Sequence, residues 1–258
     1  MKEKLQRRNK KRKFSGIDEH KLKIQPSHVF YLIEYLKSAE VRYVVAPYEA
    51  DAQLAWMARN NMVDAVQTDD SDLVLFGCPK VLFNLNLCVK SASLGDCLIC
   101  ELDSILNDNF PDLSREQFVQ ACIFAGCDYI QCLSSPSFRK NGITKGIRLI
   151  RDHGTYDKVI THLSSQWSKN IISVEEFRIK YEKVVLLNNH QCVYDLQKEQ
   201  AAYLTSLPES FTFAADPTLE FLGKYPIVLH YKFLVLYHFL VLLLIYSFHI
   251  EVSFFLNK

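Results

Sequence analysis

The sequence runs to 258 residues, 49% of them hydrophobic, enough to bury the core of one compact domain with or without appendages. A formal net charge of +1 excludes an evenly basic nucleic-acid binder. The charge is uneven, however: the first thirteen residues hold eight Lys or Arg and one Glu, leaving 22 basic and 28 acidic groups in the other 245. A basic arm before an acidic body suits a segment that meets phosphate and a body that holds cations.

The basic arm covers residues 1–24. Lys10-Lys11-Arg12-Lys13 reads equally as a DNA contact, a nuclear-import patch or a solvated charge run. Pro26 opens the ordered part, and apolar residues from Val29 to Leu36 fall at helical spacing. Arg42 to Ala46 reads as a buried strand ended by Pro47, Glu49 to Asn60 as a helix, and Asp64 to Thr68 as a second short strand. Leu73 to Phe76 supplies a helical turn and Val81 to Leu85 another strand. Strand, helix and strand at this spacing predict a parallel βαβ unit. Further helices are expected over 116–125, from Gly142 to Ile150, over 156–163 and over 174–187. The eight cysteines do not build a zinc site, because Cys97-x-x-Cys100 has no second pair at matching spacing. The charged start is not followed by the apolar run of a secretory signal, so the thiols are read as reduced, intracellular packing residues.

Two acidic pairs stand out. Glu49 and Asp51 follow the first expected strand, and Asp70 and Asp72 follow the second. Ligands of open parallel sheets bind beyond the carboxyl ends of the strands, and a right-handed crossover puts both pairs on one edge. Carboxylates gathered there repel one another unless divalent cations join them, and oxygen-rich sites suit Mg²⁺ or Mn²⁺. Asp128, at an expected helix end, is a fifth candidate. A rival reading stands beside this one: Glu49 and Asp51 lie in a first helical turn, where the helix dipole favours negative charge, and Asp70 can cap the turn after it.

The block Val45-Ala46-Pro47-Tyr48-Glu49-Ala50-Asp51-Ala52-Gln53, the block Thr68-Asp69-Asp70-Ser71-Asp72-Leu73 with Phe76-Gly77-Cys78, and Gly126-Cys127-Asp128-Tyr129 together resemble the flap-endonuclease/exonuclease 1 family. The last of these has the exonuclease 1 form. The resemblance covers roughly residues 25–205. It implies an α/β fold, a PIN-like parallel sheet flanked by helices, followed by a helix–two-turn–helix region. It further implies Glu49, Asp51, Asp70, Asp72 and Asp128 as metal-binding catalytic carboxylates for two Mg²⁺ ions, with Mn²⁺ as a substitute. Asp69 stands where the family has Glu and is not expected to be a ligand.

Gly142-Ile143-Thr144-Lys145-Gly146-Ile147-Arg148 resembles the second helix of the family's helix–two-turn–helix, whose Gly-Ile-Gly hairpin holds duplex phosphates with a K⁺ ion. Gly142 stands at the second hairpin glycine, Lys140 replaces the first, and residues 134–139 are additional. Gly142, Lys140, Lys145 and Arg148 are the expected DNA contacts, with a solvated surface helix as the alternative. The family also opens with a strand bearing a catalytic Asp and an F-D-G block, neither of which occurs in these 258 residues. The resemblance therefore implies a chain starting after them.

The resulting division is a basic arm at 1–24, an internal nuclease core at 25–133, the helix–two-turn–helix and following helices at 134–205, and a divergent tail at 206–258. Within the tail, 226–249 is apolar, and Phe233 to Phe248 is broken only by His238 and Ser247. That run falls short of the ~20 residues that span a bilayer. The expected function is a nuclear, metal-dependent 5′ to 3′ exonuclease or flap endonuclease acting on DNA, with no small-molecule substrate. The alternatives are an inactive DNA-binding fragment and a protein tethered to a membrane by its tail.

Overall fold

The computed structural model describes residues 26–85, 97–127, 129–130, 142–164, 173–223, 241–246 and 249–254, the last two segments as backbone. Helix α1 (Pro26–Ser38) buries Leu36 but leaves Phe30, Tyr31 and Tyr35 exposed. Helix α2 (Ala50–Arg59) is buried on all sides from Ala52 to Ala58, as expected of a helix apolar around its whole circumference. It ends in a Schellman turn. Asn61 takes the left-handed conformation at φ 55°, and the Met62 amide returns to the Met57 carbonyl at 2.9 Å.

Strand β1 (Val66–Gln67) pairs in parallel with β2 (Lys80–Phe83), with Val66 opposite Val81. The short helix α3 (Asp72–Leu75) lies between them in sequence. Strand β3 (Leu98–Glu101) closes the sheet antiparallel to β2, in the order β1-β2-β3. The fold is therefore α/β, a small sheet with a parallel pair flanked by helices.

The strand expected over Arg42 to Ala46 is not part of that sheet. Only Arg42 takes a bridge position, although Val44 is buried in the same core. Of the five residues expected to be buried, Val44 is, and the other four are half-buried. Strand pairing depends on a neighbour's backbone, which local composition does not supply.

Beyond the sheet the chain is mainly helical. Helix α4 (Arg115–Ala125) starts with a capping box in which Ser114 and Gln117 exchange hydrogen bonds. Helices α5 (Gly142–His153), α6 (Tyr156–Ser164) and α7 (Val174–His190) pack with it around Phe124, Ile150, Ile160 and Tyr181. Gly146 sits against the backbone of Ala121, so a side chain there would collide with the carbonyl, and α5 can approach α4 only at a glycine. The hairpin expected between α4 and α5 falls on 131–141, outside the described residues.

The chain then returns to the first core as the antiparallel pair β4 (Cys192–Asp195) and β5 (Gln200–Tyr203). A 3₁₀ turn at Glu220–Leu222 follows, with Leu222 wholly buried in the first core. In the apolar tail, β6 (Val241–Tyr246) and β7 (His249–Phe254) form an antiparallel hairpin. No helix among the described residues is long and apolar enough to cross a membrane.

The two cores meet at Tyr129, which packs against both. The first holds α2 and the sheet, and the second holds α4 to α7.

Candidate functional site

Each acidic pair is set by a helix start. Glu49 is the N-cap residue of α2 (φ −96°, ψ 151°), yet its side chain makes no capping bond. Its carboxylate turns instead to Gln191, whose Nε2 donates to Glu49 Oε2 at 3.1 Å. The Gln191 Oε1 accepts the Glu49 amide at 3.3 Å. Capping therefore does not account for the Glu49 carboxylate. Asp51 follows in the first turn of α2, with its Oδ1 shut away from solvent.

Asp70 and Asp72 are organised locally. The Asp70 amide donates to Thr68 Oγ1 at 3.0 Å, and Asp70 Oδ1 accepts the Asp72 amide at 2.8 Å. This is the turn-capping role that the sequence allowed Asp70, and it uses one oxygen of that carboxylate. Asp72 stands in the first turn of α3, which packs against α2. The Asp69 carboxylate points elsewhere, accepting the Asn84 amide at 2.9 Å.

Two buried thiols flank the acids. Burial pushes the Cys78 thiol up to about 12, with Cys100 and Asp51 adding to the rise and a backbone hydrogen bond at Lys80 opposing it. Burial likewise pushes Cys122 up to about 12, helped by Asp72 and Cys127. Without a metal both stay protonated at neutral pH. The available donors are carboxylate oxygens, which fit a hard divalent cation. Among the described residues no group of three or more His, Cys, Asp or Glu side chains is gathered closely enough to hold a metal ion. Asp128, the fifth expected ligand, lies outside the described residues, while its neighbour Tyr129 lies within hydrogen-bond reach of Gln191 Nε2 at 3.4 Å.

Two residues at this site were not given a role from sequence. Gln191 is fully buried at the end of α7 and joins Glu49 to Tyr129. Gln53, also fully buried, docks α2 on β4: its amide exchanges two hydrogen bonds with the Tyr194 backbone, at 2.7 and 3.0 Å. For Gln53 the available signal was a lone glutamine inside an apolar stretch, since a buried amide demands partners.

Of the expected DNA contacts, Gly142 opens α5 and is half-buried, and Lys145 is half-buried one turn further on. Arg148 is exposed and reaches Asp152 at 3.6 Å, a surface pair of little energetic weight. Lys140 and the hairpin expected to hold K⁺ lie outside the described residues. Arg151, further along α5, is tied to Asp112 by two hydrogen bonds of 2.5 and 2.6 Å.

Taken together, these features define an α/β protein that carries acidic pairs at the starts of two helices, α2 and α3. Residues 40–128 match the XPG I-region family, the segment that holds both acidic pairs. The chain is similar to exonuclease 1 of Oryza sativa subsp. japonica, with 32% identity over 203 residues, covering 78% of this chain and 22% of that protein. It is also similar to exonuclease 1 of Arabidopsis thaliana, with 33% identity over 194 residues, covering 75% and 25%. The chain thus spans about a quarter of the length of these relatives. Among solved structures, the flap endonuclease-1 of Methanococcus jannaschii is similar at a TM-score of 0.46 and 23% identity, covering 64% of this chain and 44% of that one.

Proposed function

We propose that this chain carries the acid-bearing core of a metal-dependent nuclease that hydrolyses phosphodiester bonds at the 5′ ends or flaps of DNA in repair and replication. Glu49, Asp51, Asp70, Asp72 and Asp128 are the residues that hold two Mg²⁺ ions, with Mn²⁺ as a substitute. When bound, such ions supply an activated water and neutralise charge on the reacting phosphate. The protein's part is to fix the carboxylates before the substrate arrives. Gln191 and the Asp70–Asp72 turn orient their groups, and the buried Asp51 oxygen keeps one donor out of bulk water.

The observation that supports this most is Glu49. A residue at a helix start makes no capping bond with its carboxylate and gives it instead to Gln191, whose amide also reaches Tyr129. Gly142, Lys145 and Arg148 of α5, with Lys140 before it in sequence, meet the duplex backbone through contacts that carry salt-dependent affinity and no sequence selectivity. The exonuclease 1 form of Gly126-Cys127-Asp128-Tyr129 favours action on 5′ ends over flap incision, and the basic arm suits a nuclear protein.

Cleavage of 5′-recessed and 5′-flapped duplexes with Mg²⁺ tests the proposal. Wild type cuts, and Asp70→Ala loses at least about a hundredfold in rate, the upper end of what removing even an indirect metal partner costs. Equal cutting by both overturns it. A second reading, DNA binding without cleavage, draws on the described residues holding no group of three metal-reaching side chains. It predicts salt-sensitive binding with no product at any Mg²⁺ concentration.

A further inference from the structure

Gln191 lies 142 residues from Glu49 in sequence, yet its side chain grips that residue twice, at the backbone amide and at the carboxylate. The same Nε2 reaches the Tyr129 hydroxyl. Only one orientation of the amide satisfies this pattern. Its reverse would set Oε1 against a carboxylate and Nε2 against an N–H. The backbone of Gln191 is held as well. It leaves α7 at φ −58°, ψ 144°, and its carbonyl accepts the Leu204 amide at 2.9 Å.

The surroundings leave this side chain little room to move. Gly223, at φ 102°, presses on Tyr48 and Cys192, the residues beside Glu49 and Gln191; an added Cβ would sit 2.8 Å from Tyr48 Cβ and 3.1 Å from Cys192 Cβ. Tyr129 packs against both cores, and its chain neighbour is Asp128. One buried amide thus spans the seam from the start of α2 to the corner after α4.

We infer that Gln191 is a positioning residue for the metal carboxylates. It fixes the rotamer of Glu49 and ties that residue to Tyr129. A carboxylate held in one orientation loses less conformational freedom on binding a cation, which is how outer partners raise metal affinity. The inference rests on the nuclease reading above, specifically on Glu49 as a ligand.

The test uses the full chain and Mn²⁺ alone, with free ion followed by electron paramagnetic resonance. Wild type binds Mn²⁺, and Gln191→Met, which keeps length and removes the amide, binds it about 10–100-fold more weakly. Circular dichroism and melting confirm that the variant is folded. A Glu49→Gln background separates positioning from general loosening. There the Gln191→Met penalty disappears, whereas a merely structural role weakens binding by the same factor in both backgrounds and overturns the inference. Equal affinity in wild type and Gln191→Met also overturns it while leaving the nuclease reading intact. A wild type that binds no Mn²⁺ overturns both. If Gln191→Met does not fold, Tyr129→Phe carries the test. Losing that one hydroxyl weakens Mn²⁺ severalfold, and an unchanged affinity sinks the inference.

Discussion

The two cores are held together by different means. The helical core of α4 to α7 closes on side-chain packing: Phe124 lies 4.6 Å from Tyr181 between ring centroids, and the Tyr181 hydroxyl donates to the Gln120 carbonyl at 2.8 Å. The sheet core packs too, but two of its long-range contacts are made by buried amides. Gln53 reads the backbone of β4, and Gln191 reads Glu49, each across more than 140 residues of sequence. Packing tolerates small adjustments, whereas a buried amide with two or three set hydrogen bonds does not. The core that bears the acids is thus the one whose geometry depends on a few specific hydrogen bonds.

Three substitutions probe that difference. Phe124→Ala has the largest expected effect on stability. It empties a site 1% exposed and costs about 3–5 kcal/mol, read as a fall in denaturation midpoint. Gln53→Leu keeps volume but strands the Tyr194 amide and carbonyl, costing about 2–4 kcal/mol from two unsatisfied buried groups. An unchanged midpoint would show that the polar docking matters less than argued here.

Asp112→Asn is the smallest. The Arg151 guanidinium holds the Asp112 carboxyl below its usual range. A depressed folded-state value means the contact stabilises above the unfolded value and is lost as pH falls through the folded one. The small melting gap between wild type and Asp112→Asn is therefore present at pH 7 and narrows once pH drops below about 3.9. A gap that widens in acid contradicts the assignment.

The helices were legible because their signals are local. Ser114 and Gln117 announce the start of α4, and the apolar positions of α5 to α7 recur at helical spacing. The α2–β1–α3–β2 run was legible for the same reason, with boundaries displaced by a residue or two. The strand expected at 42–46 was not found because pairing is decided by a distant backbone. The acids were legible as residue types at helix starts, but the question of cap or ligand was not. For Asp70 the structure shows a local turn bond, and for Glu49 a partner at the far end of α7 that no spacing rule connects to it. The apolar tail illustrates the same limit: its composition raised the question of a membrane, and its described backbone is a β-hairpin.

The central claim is that carboxylates from the start of α2, the turn before α3 and the corner after α4 share divalent cations. A crystal of the chain soaked in Mn²⁺ and measured at the manganese absorption edge tests it most directly. The account predicts two anomalous peaks bordered by Glu49, Asp51, Asp70, Asp72 and Asp128. Peaks elsewhere, or none beside these carboxylates at saturating Mn²⁺, would contradict it.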